Sequence, residues 1–142
     1  MIKRGVENVS EYIILSNFHV NQKGNQQYFC FEDGERLVDS ICNHKESPTA
    51  IFCNNDLTAI AIMYDLKQRG IRIPEDISII GVDNNPFSYI IQPPLTSIDN
   101  STAQIAKMAT KILIEQITNN SNNVISYVKP SLVERKSVAS IV

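Results

Sequence analysis

The sequence predicts an α/β fold in which helices flank a mostly parallel sheet. Two observations support this fold class. Short apolar runs typical of strands alternate with segments whose apolar residues recur at helical spacing, and the connecting lengths suit right-handed crossovers. The length of 142 residues, with 43% hydrophobic and 20% charged residues, is sufficient for one globular domain with a substantial core.

The first third of the chain predicts a helix, a strand and a second helix. Residues 3–14 carry apolar residues at helical spacing, and residues 27–31 (QYFCF) are short and aromatic, as in many strands. Gly34 interrupts the chain before the segment ERLVDSICN (35–43), which has one apolar helical face. That face comprises Leu37, Val38, Ile41 and Cys42.

The middle of the chain predicts two strands with a helix between them. TAIFC (49–53) is a compact apolar strand, and the polar run at 54–56 can cap a helix over 57–69. Gly70 ends that helix. ISIIGV (77–82) is apolar on both faces, which is typical of a strand buried inside a parallel sheet.

The last third predicts one long helix between extended segments. PPLTSI (93–98) is extended, and Ser101 with Gln104 matches a capping box for a helix over 102–118. The apolar face of this helix comprises Ile105, Met108, Ile112 and Leu113. The two segments that follow, strands or near-strands, are residues 124–129 and 131–135.

Polar side chains or aromatic rings follow three of the predicted strands, at the points where the strands end. The three groups are Phe29 to Glu32, Asn54-Asn55-Asp56 and Asp83-Asn84-Asn85. Parallel strands would bring all three groups to one edge of the sheet, which is where open α/β sheets bind ligands. The topology therefore predicts a binding site at this edge.

Each of these groups also has an ordinary structural explanation. Asn55 or Asp56 can cap a helix, and the polar run that starts at Asp83 can form a turn. Against this, an ionised carboxylate such as Asp83 accepts two hydroxyl donors at once, which suits a polyol. Phe29 would offer a flat face to a sugar ring or a base. The residues alone leave both interpretations open.

The helix over 57–69 has more apolar surface than one buried face requires. Its two apolar stripes are Ala59, Ile62 and Leu66 and, on another side, Ile60, Met63 and Tyr64. The second stripe is either deeply buried between the sheet and a neighbour or paired with another subunit.

Composition argues against several classes of protein. The net charge is −2, and 13 Lys and Arg residues are scattered among 15 acidic ones, so this chain is a poor DNA binder by itself. No apolar run approaches the roughly 20 residues that cross a bilayer, and the first residues lack a signal-peptide core. Three cysteines without metal-ligand spacing indicate buried free thiols in a reducing cytosol.

Motifs for catalysis are also missing. The chain has no G-x-S-x-G, no glycine-rich phosphate loop and no H-E-x-x-H, and neither histidine has a neighbouring cysteine or carboxylate pattern. We therefore expect no enzyme, no metal site and no cofactor.

Several spaced motifs resemble the lactose/galactose-repressor (LacI/GalR) family of bacterial transcription regulators. Within residues 48–99 these are P-T-A-I-F, N-D opening a helix, G-x-x-I-P-x-D-I-S-I-I-G-x-D and P-P-L-T-S-I. The ending Pro130-x-Leu132-Val133-x-Arg135-x-Ser137 and the segment Phe29-x-x-x-x-Gly34 also fit. The similarity runs from about residue 3 to residue 138 and consists of independent motifs in the family order.

The resemblance implies a periplasmic-binding-protein-like fold of two α/β lobes, with a small-molecule effector between them, and a homodimer. By position, Asn55 and Asp83 would bind the effector, and Phe29 would stack on it. Asp56 would mainly cap its helix. The dimer interface would include Ile60, Met63 and Ile91.

The chain departs from the family pattern in two ways. Residues 1–142 would form the C-terminal lobe of the effector-binding and dimerisation domain, without the DNA-binding headpiece and nearly all of the first lobe. The helix over 102–118 would belong with that lobe, and without it we expect altered packing or an extra intermolecular contact. The family's effector-binding arginine, three residues before Gly5, is replaced by Ile2.

The leading hypothesis is the effector-sensing and dimerisation region of a cytoplasmic LacI-type regulator. The effector would be sugar-like, with a nucleobase as the alternative, and operator DNA would be bound only through the headpiece. A second hypothesis is an extracytoplasmic sugar-binding protein of a transporter, which shares the fold. A small α/β enzyme is the third, and it lacks an identifiable nucleophile or metal site. No membrane partner is expected.

Overall fold

The computed structural model describes residue 13 and residues 32–119 and 125–140. These residues contain a four-stranded sheet in the order β1-β2-β3-β4. Its strands are β1 (Ala50–Phe52), β2 (Ser78–Val82), β3 (Thr96–Asp99) and β4 (Ser131–Val133). The first three strands run parallel and β4 pairs antiparallel with β3, which confirms the predicted mostly parallel sheet.

In the same described residues, one helix precedes the first strand and three more lie between later strands. They are α1 (Glu32–Cys42), α2 (Asp56–Gln68), α3 (Phe87–Ile90) and α4 (Thr102–Asn119). Asn55 caps the start of α2, and after its last turn Gly70 takes the left-handed conformation, with φ of +78°. The predicted positions of α1, α2, α4 and the three parallel strands are therefore confirmed to within a few residues.

The core lies between α1, α2 and the inner strand β2, and its composition follows from their apolar faces. Its buried residues are Leu37, Val38, Ile41, Cys53, Ala59, Ile62, Met63, Leu66, Ile73, Ile77, Ile79 and Leu95. Burial of side chains of this size stabilises a fold by about 1.5–3 kcal/mol each. The core therefore fixes β2, and with it the polar turn that follows β2.

Two side chains lie elsewhere than the sequence predicts. Met63 is only 1% exposed and belongs to the core, so in this structure it supplies no surface for a partner, which corrects its placement on an accessible dimer face. Cys42, at the end of α1, is exposed although burial was predicted, whereas Cys53 is buried as predicted. Cys30 lies outside the described residues, as do the predicted helix 3–14 and strand 27–31.

The apolar residues of α4 face outwards. Ile105, Leu113, Ile114 and Ile117 are exposed, and Met108 and Ile112 are half-buried. The expectation that altered packing or an extra intermolecular contact covers this helix stays a prediction. Residues 125–130 contain no strand, and none of the described helices is long and apolar enough to cross a membrane.

Candidate functional site

The ends of the parallel strands converge on one edge of the sheet. Asp83 follows β2 directly, and its backbone N–H donates to Ile98 O in β3 at 2.8 Å. Its side chain is exposed, and Oδ1 accepts from Asn100 Nδ2, after β3, at 3.2 Å. Asp83 thus presents a carboxylate to solvent at the edge where the sequence predicts ligand binding.

The turn after Asp83 is held in an unusual backbone conformation by neighbouring side chains. Asp83 and Asn84 both have left-handed φ angles, +101° and +50°, which non-glycine residues rarely adopt. Asn84 N donates to Ser97 Oγ at 3.0 Å, and Asn84 Nδ2 donates to Asp99 Oδ2 at 3.1 Å. These contacts from β3 fix the direction in which the Asp83 carboxylate points.

Arg135 supports the same turn from the C-terminal segment. Its guanidinium donates to Asn84 Oδ1 and to Leu95 O, each at 2.6 Å, and its backbone N–H donates to Thr96 Oγ1 at 2.9 Å. In the sequence, Arg135 is notable only as part of the C-terminal motif at 130–137 that resembles the family. The structure shows that its side chain is bonded to the turn of the candidate site.

Asn85 completes the turn and starts α3. Asn85 Oδ1 accepts from Phe87 N at 3.0 Å, and Asn85 O accepts from Ser88 N at 2.9 Å. This local bonding agrees with the interpretation that the polar run that starts at Asp83 forms a turn.

The helix cap that the family resemblance assigned to Asp56 is supplied by Asn55. Asn55 Oδ1 accepts from Thr58 N at 2.8 Å, so Asn55 is the N-cap of α2, and its Nδ2 donates to Asn54 Oδ1 at 3.3 Å. The expectation that Asp56 would cap this helix is wrong. Asn55 is half-buried at the edge, and whether it also binds an effector stays a prediction.

Asp56 instead lies at the centre of a buried polar cluster. It is 1% exposed, and its Oδ2 accepts from Asn85 N and Ser88 Oγ, each at 2.6 Å. Its Oδ1 accepts from Ser97 Oγ, also at 2.6 Å. We refer to Asp56, Asn85, Ser88 and Ser97 as the Asp56 cluster.

Gly81 makes room for this carboxylate in the middle of β2. A Cβ atom at residue 81 would lie 2.2 Å from Asp56 Oδ1 and 3.2 Å from Asp56 Cα. A glycine inside an apolar strand signals a close approach of this kind, and it was the one available hint of the Asp56 cluster in the sequence.

The electrostatic surroundings of the edge are acidic. Burial, with a smaller contribution from the charge of Asp56, raises the pKa of the Cys53 thiol to about 12. Within the described part of the chain, no Lys, Arg or His forms an ion pair with Asp56, and no group of three or more His, Cys, Asp or Glu is arranged to hold a metal.

The edge therefore presents an exposed carboxylate that can accept hydrogen bonds from a ligand. Asp83 Oδ2 receives no hydrogen bond from the described residues, so it can accept one from a ligand hydroxyl. Phe29 and Ile2 lie outside the described residues, so their contribution is not visible.

Comparison with known proteins agrees with this architecture. The family model for the periplasmic binding protein-like domain matches residues 1–138. The chain therefore belongs to the periplasmic binding protein-like domain family.

The similar proteins include transcriptional repressors in sequence and LacI-type regulators in structure. The repressor PurR of Haemophilus influenzae (strain PittEE) is 40% identical over 114 residues, covering 78% of this chain and 34% of that protein. A LacI regulator from Bacillus cereus subsp. cytotoxis superposes with a TM-score of 0.73 at 27% identity, covering 78% of this chain and 40% of the other.

A LacI-family regulator from Enterococcus faecalis V583, solved with bound ribose, superposes with a TM-score of 0.71 at 31% identity over 80% of this chain and 42% of that one. These matches confirm the predicted resemblance to the effector-binding part of LacI/GalR regulators. The relatives are transcription regulators rather than enzymes. The chain spans about a third of the length of the curated relatives that it matches.

Proposed function

We propose that this chain is the effector-sensing and dimerisation region of a cytoplasmic LacI-type transcription regulator. The observation that carries the proposal is the exposed Asp83 carboxylate, fixed by its turn at the carboxyl edge of the sheet. In the two-lobed fold that the family resemblance implies, that edge would face the cleft between the lobes. Because the similar proteins are named as transcription regulators, a regulatory role is better supported than that of a binding protein for transport.

The proposed effector is a sugar-like polyol. Asp83 would accept ligand hydroxyls, Asn55 would donate through Nδ2 while its Oδ1 caps α2, and Phe29 would cover one face of the ring. The ribose complex of the Enterococcus faecalis relative supports this chemistry. Similarity to repressors named PurR supports a nucleobase as the second candidate.

The proposed mechanism is a shift between conformations. An effector that binds one arrangement of the lobes better than another changes their populations, and the operator affinity of the whole regulator changes with them. DNA would be bound through a headpiece outside this chain, in keeping with the scattered charges and net charge of −2.

The proposed dimer surface lies beside the site, on α2 and α3. Ile60 and Ile91 are half-buried against the core, and Leu57, Phe87, Tyr89 and Ile90 are exposed near them in the chain. Met63 would support Ile60 from within the core rather than contact a partner. Apolar side chains exposed in this number are typical of subunit interfaces.

The test is a titration of the regulator that carries this region, with D-ribose and adenine as probes. Asp83→Ala removes the acceptor and should raise the Kd of the bound probe by about tenfold or more, since hydrogen bonds to charged groups are worth roughly 1.5–3 kcal/mol. Operator binding without effector should persist. Glu75→Ala, which removes an exposed carboxylate far from the edge, is the control. If Asp83→Ala binds the probe with the same Kd as the unaltered protein, the proposal is contradicted.

Sedimentation velocity over a dilution series separates the regulator from the transporter hypothesis. A regulator region of this class should show a concentration-dependent dimer, weakened by Tyr89→Asp. A strictly monomeric protein at all concentrations would favour an extracytoplasmic binding protein.

A further inference from the structure

We propose that Asp56 is a positioning residue of the candidate effector site: it fixes the Asp83 turn and couples that turn to α3. This inference rests on the proposed function, because it concerns regulation of the same site. The residue itself touches no ligand. Its role is to hold two segments, one carrying Asp83 and one carrying the proposed dimer surface, through one buried carboxylate.

The burial of Asp56 requires an explanation beyond helix formation. A carboxylate that is 1% exposed loses its hydration, which is costly unless hydrogen bonds replace it. Asn55 already caps α2, so α2 does not need Asp56 for that purpose. All three donors to Asp56 come from residues 29 to 41 positions away, which ties distant segments to the start of α2.

One set of these bonds controls the position of Asp83. Asn85 N donates directly to Asp56, and Asn84 N donates to Ser97 Oγ, which itself donates to Asp56. The two backbone N–H groups after Asp83 thus both donate to members of the Asp56 cluster, Asn84 N to Ser97 and Asn85 N to Asp56. Because Asp83 and Asn84 have left-handed φ angles, this conformation persists only where surrounding contacts impose it.

A second bond of the same carboxylate controls α3. Ser88 is fully buried inside this four-residue helix, and its hydroxyl donates to the same Oδ2 atom that accepts from Asn85 N. Ser88 O also accepts from Leu95 N at 2.8 Å, which links α3 to the residue that precedes β3. A single helical turn has little stability of its own, so α3 depends on these anchors.

Asp56 Oδ2 therefore accepts from two groups at once: Asn85 N, in the turn after Asp83, and Ser88 Oγ, in α3. A ligand that pulls on Asp83 shifts Asn85, and Asn85 shares its acceptor with Ser88. Ser88 lies in the same helical turn as the exposed residues Phe87, Tyr89 and Ile90, so these residues move with it. Contact at the site and the placement of α3 are thereby coupled without any change in the core.

The first test needs no ligand and uses backbone amide hydrogen exchange on the full chain. Asp56→Asn keeps the size of the side chain but loses one acceptor, so exchange at Asn84, Asn85 and Leu95 should rise by about tenfold or more. Ser97→Ala should accelerate Asn84 most, and Ser88→Ala should accelerate Leu95 while sparing Asn84. If Asp56→Asn fails to fold, the positions of faster exchange in Ser97→Ala and Ser88→Ala test the positioning role of Asp56 instead.

The matched control is Ser137→Ala. Ser137 is as fully buried as Ser97, and its hydroxyl likewise makes two hydrogen bonds, but these join β2 to β3 at the opposite edge of the sheet. A merely structural role for Asp56 predicts that exchange at Asn84, Asn85 and Leu95 rises equally in Asp56→Asn and in Ser137→Ala when both are corrected for global stability. That result would overturn the proposal.

The second test uses D-ribose and adenine as probes for the coupling to binding. Asp56→Asn should raise the Kd of the bound probe by about tenfold, whereas Ser137→Ala should leave it within about twofold. If the unaltered protein binds neither probe, the proposed function loses its support while the exchange experiment still decides the role of Asp56. If a probe binds and Asp56→Asn leaves its Kd unchanged, the positioning role is refuted.

Discussion

The two edges of the parallel sheet are held together by different kinds of polar contact. At the carboxyl edge, the charged Asp56 receives bonds from two hydroxyls and one backbone N–H. At the amino edge, the neutral Ser137 donates to Ile79 O at 2.6 Å and accepts from Thr96 N at 2.8 Å. The amino edge is therefore held by one neutral hydroxyl that joins two backbone groups of neighbouring strands, whereas the carboxyl edge is held by a buried carboxylate that joins a turn, a short helix and a strand.

Because of this difference, we expect the amino edge of the sheet to stay fixed, whereas the turn and short helix at the carboxyl edge can change position. Bonds from Ser137 to Ile79 and Thr96 only tie strands that already lie side by side. The Asp56 bonds, in contrast, reach a turn and a short helix that lie outside the sheet, and charge-assisted bonds are roughly twice as strong as neutral ones. A ligand at the proposed site would therefore act on the carboxyl edge without loosening the sheet.

The largest expected effect comes from filling the space that the Asp56 carboxylate occupies. In Gly81→Ala the new Cβ would lie 2.2 Å from Asp56 Oδ1, so the carboxylate must move and the Asp56 cluster must break. We expect a loss of about 3 kcal/mol or more in the free energy of unfolding, measured with urea, from overpacking and lost bonds together.

Gly70→Ala is the matched control for that substitution. Gly70 has a φ of +78° but no atom within 4 Å of an added Cβ. Its alanine variant should lose only about 1 kcal/mol, from backbone strain alone. If Gly81→Ala is no less stable than Gly70→Ala, the carboxyl edge does not depend on Asp56.

The next effect tests the amino edge. Ser137→Ala leaves Ile79 O and Thr96 N without their buried partner, so we expect the free energy of unfolding to fall by about 2 kcal/mol. Ser40→Ala, which removes an exposed hydroxyl bonded only to Arg36 O, should change it by less than about 0.5 kcal/mol. Equal losses in the two variants would show that Ser137 does not pin this edge.

The sequence predicts the sheet well because the relevant signals are local. The apolar run at 77–82 and the glycine at residue 70 mark a strand and a helix end without reference to the rest of the chain. Parallel topology then places the segments after β1 and β2 at one edge, as the contact between Asp56 and Asn85 shows.

The assignment of individual polar roles fails because it depends on distant partners. Asn55 and Asp56 are both good helix caps, and their order alone does not say which one turns inward. That choice depends on Ser88 and Ser97, which lie 32 and 41 residues away. Met63 was misplaced for a related reason: a helix with apolar residues on two sides does not reveal how much of it the neighbours cover.

The pH dependence of stability offers a smaller effect at the carboxyl edge. The pKa of Cys53 is raised from 9.0 to about 12, chiefly by burial. Below pH 9 both states keep the proton. Between about pH 9 and pH 12 only the unfolded chain loses it, so this contribution to stability falls by at most about 1.4 kcal/mol per pH unit.

Urea unfolding of the chain and of Cys53→Ala, at about pH 8 and at about pH 10, measures this effect by difference. The alanine variant should begin less stable but lose less stability on raising the pH. Parallel losses in both proteins would mean that the thiol ionises in the folded state as easily as in the unfolded one.

The smallest effect concerns the exposed charges that precede β2 at the amino edge. Arg72 donates to Asp76 through its guanidinium and its backbone N–H, at 2.6–2.9 Å, and these bonds lower the pKa of Asp76 to about 2. The folded pKa lies below the unfolded one, so the pair stabilises the fold above about pH 4 and this contribution disappears as the pH falls towards 2. Because both groups are solvent-exposed, the change in stability should be slight.

Carboxyl chemical shifts followed by NMR titration detect this pair directly. In Arg72→Ala the pKa of Asp76 should rise towards its ordinary value of 3.8 but stop short of it, since the backbone N–H of residue 72 still donates. Arg69→Ala, which removes a cation paired with Asp39 instead, should leave the Asp76 titration unchanged. A titration of Asp76 that is the same with and without Arg72 would mean that charge contributes nothing at this edge, leaving Ser137 as its polar anchor.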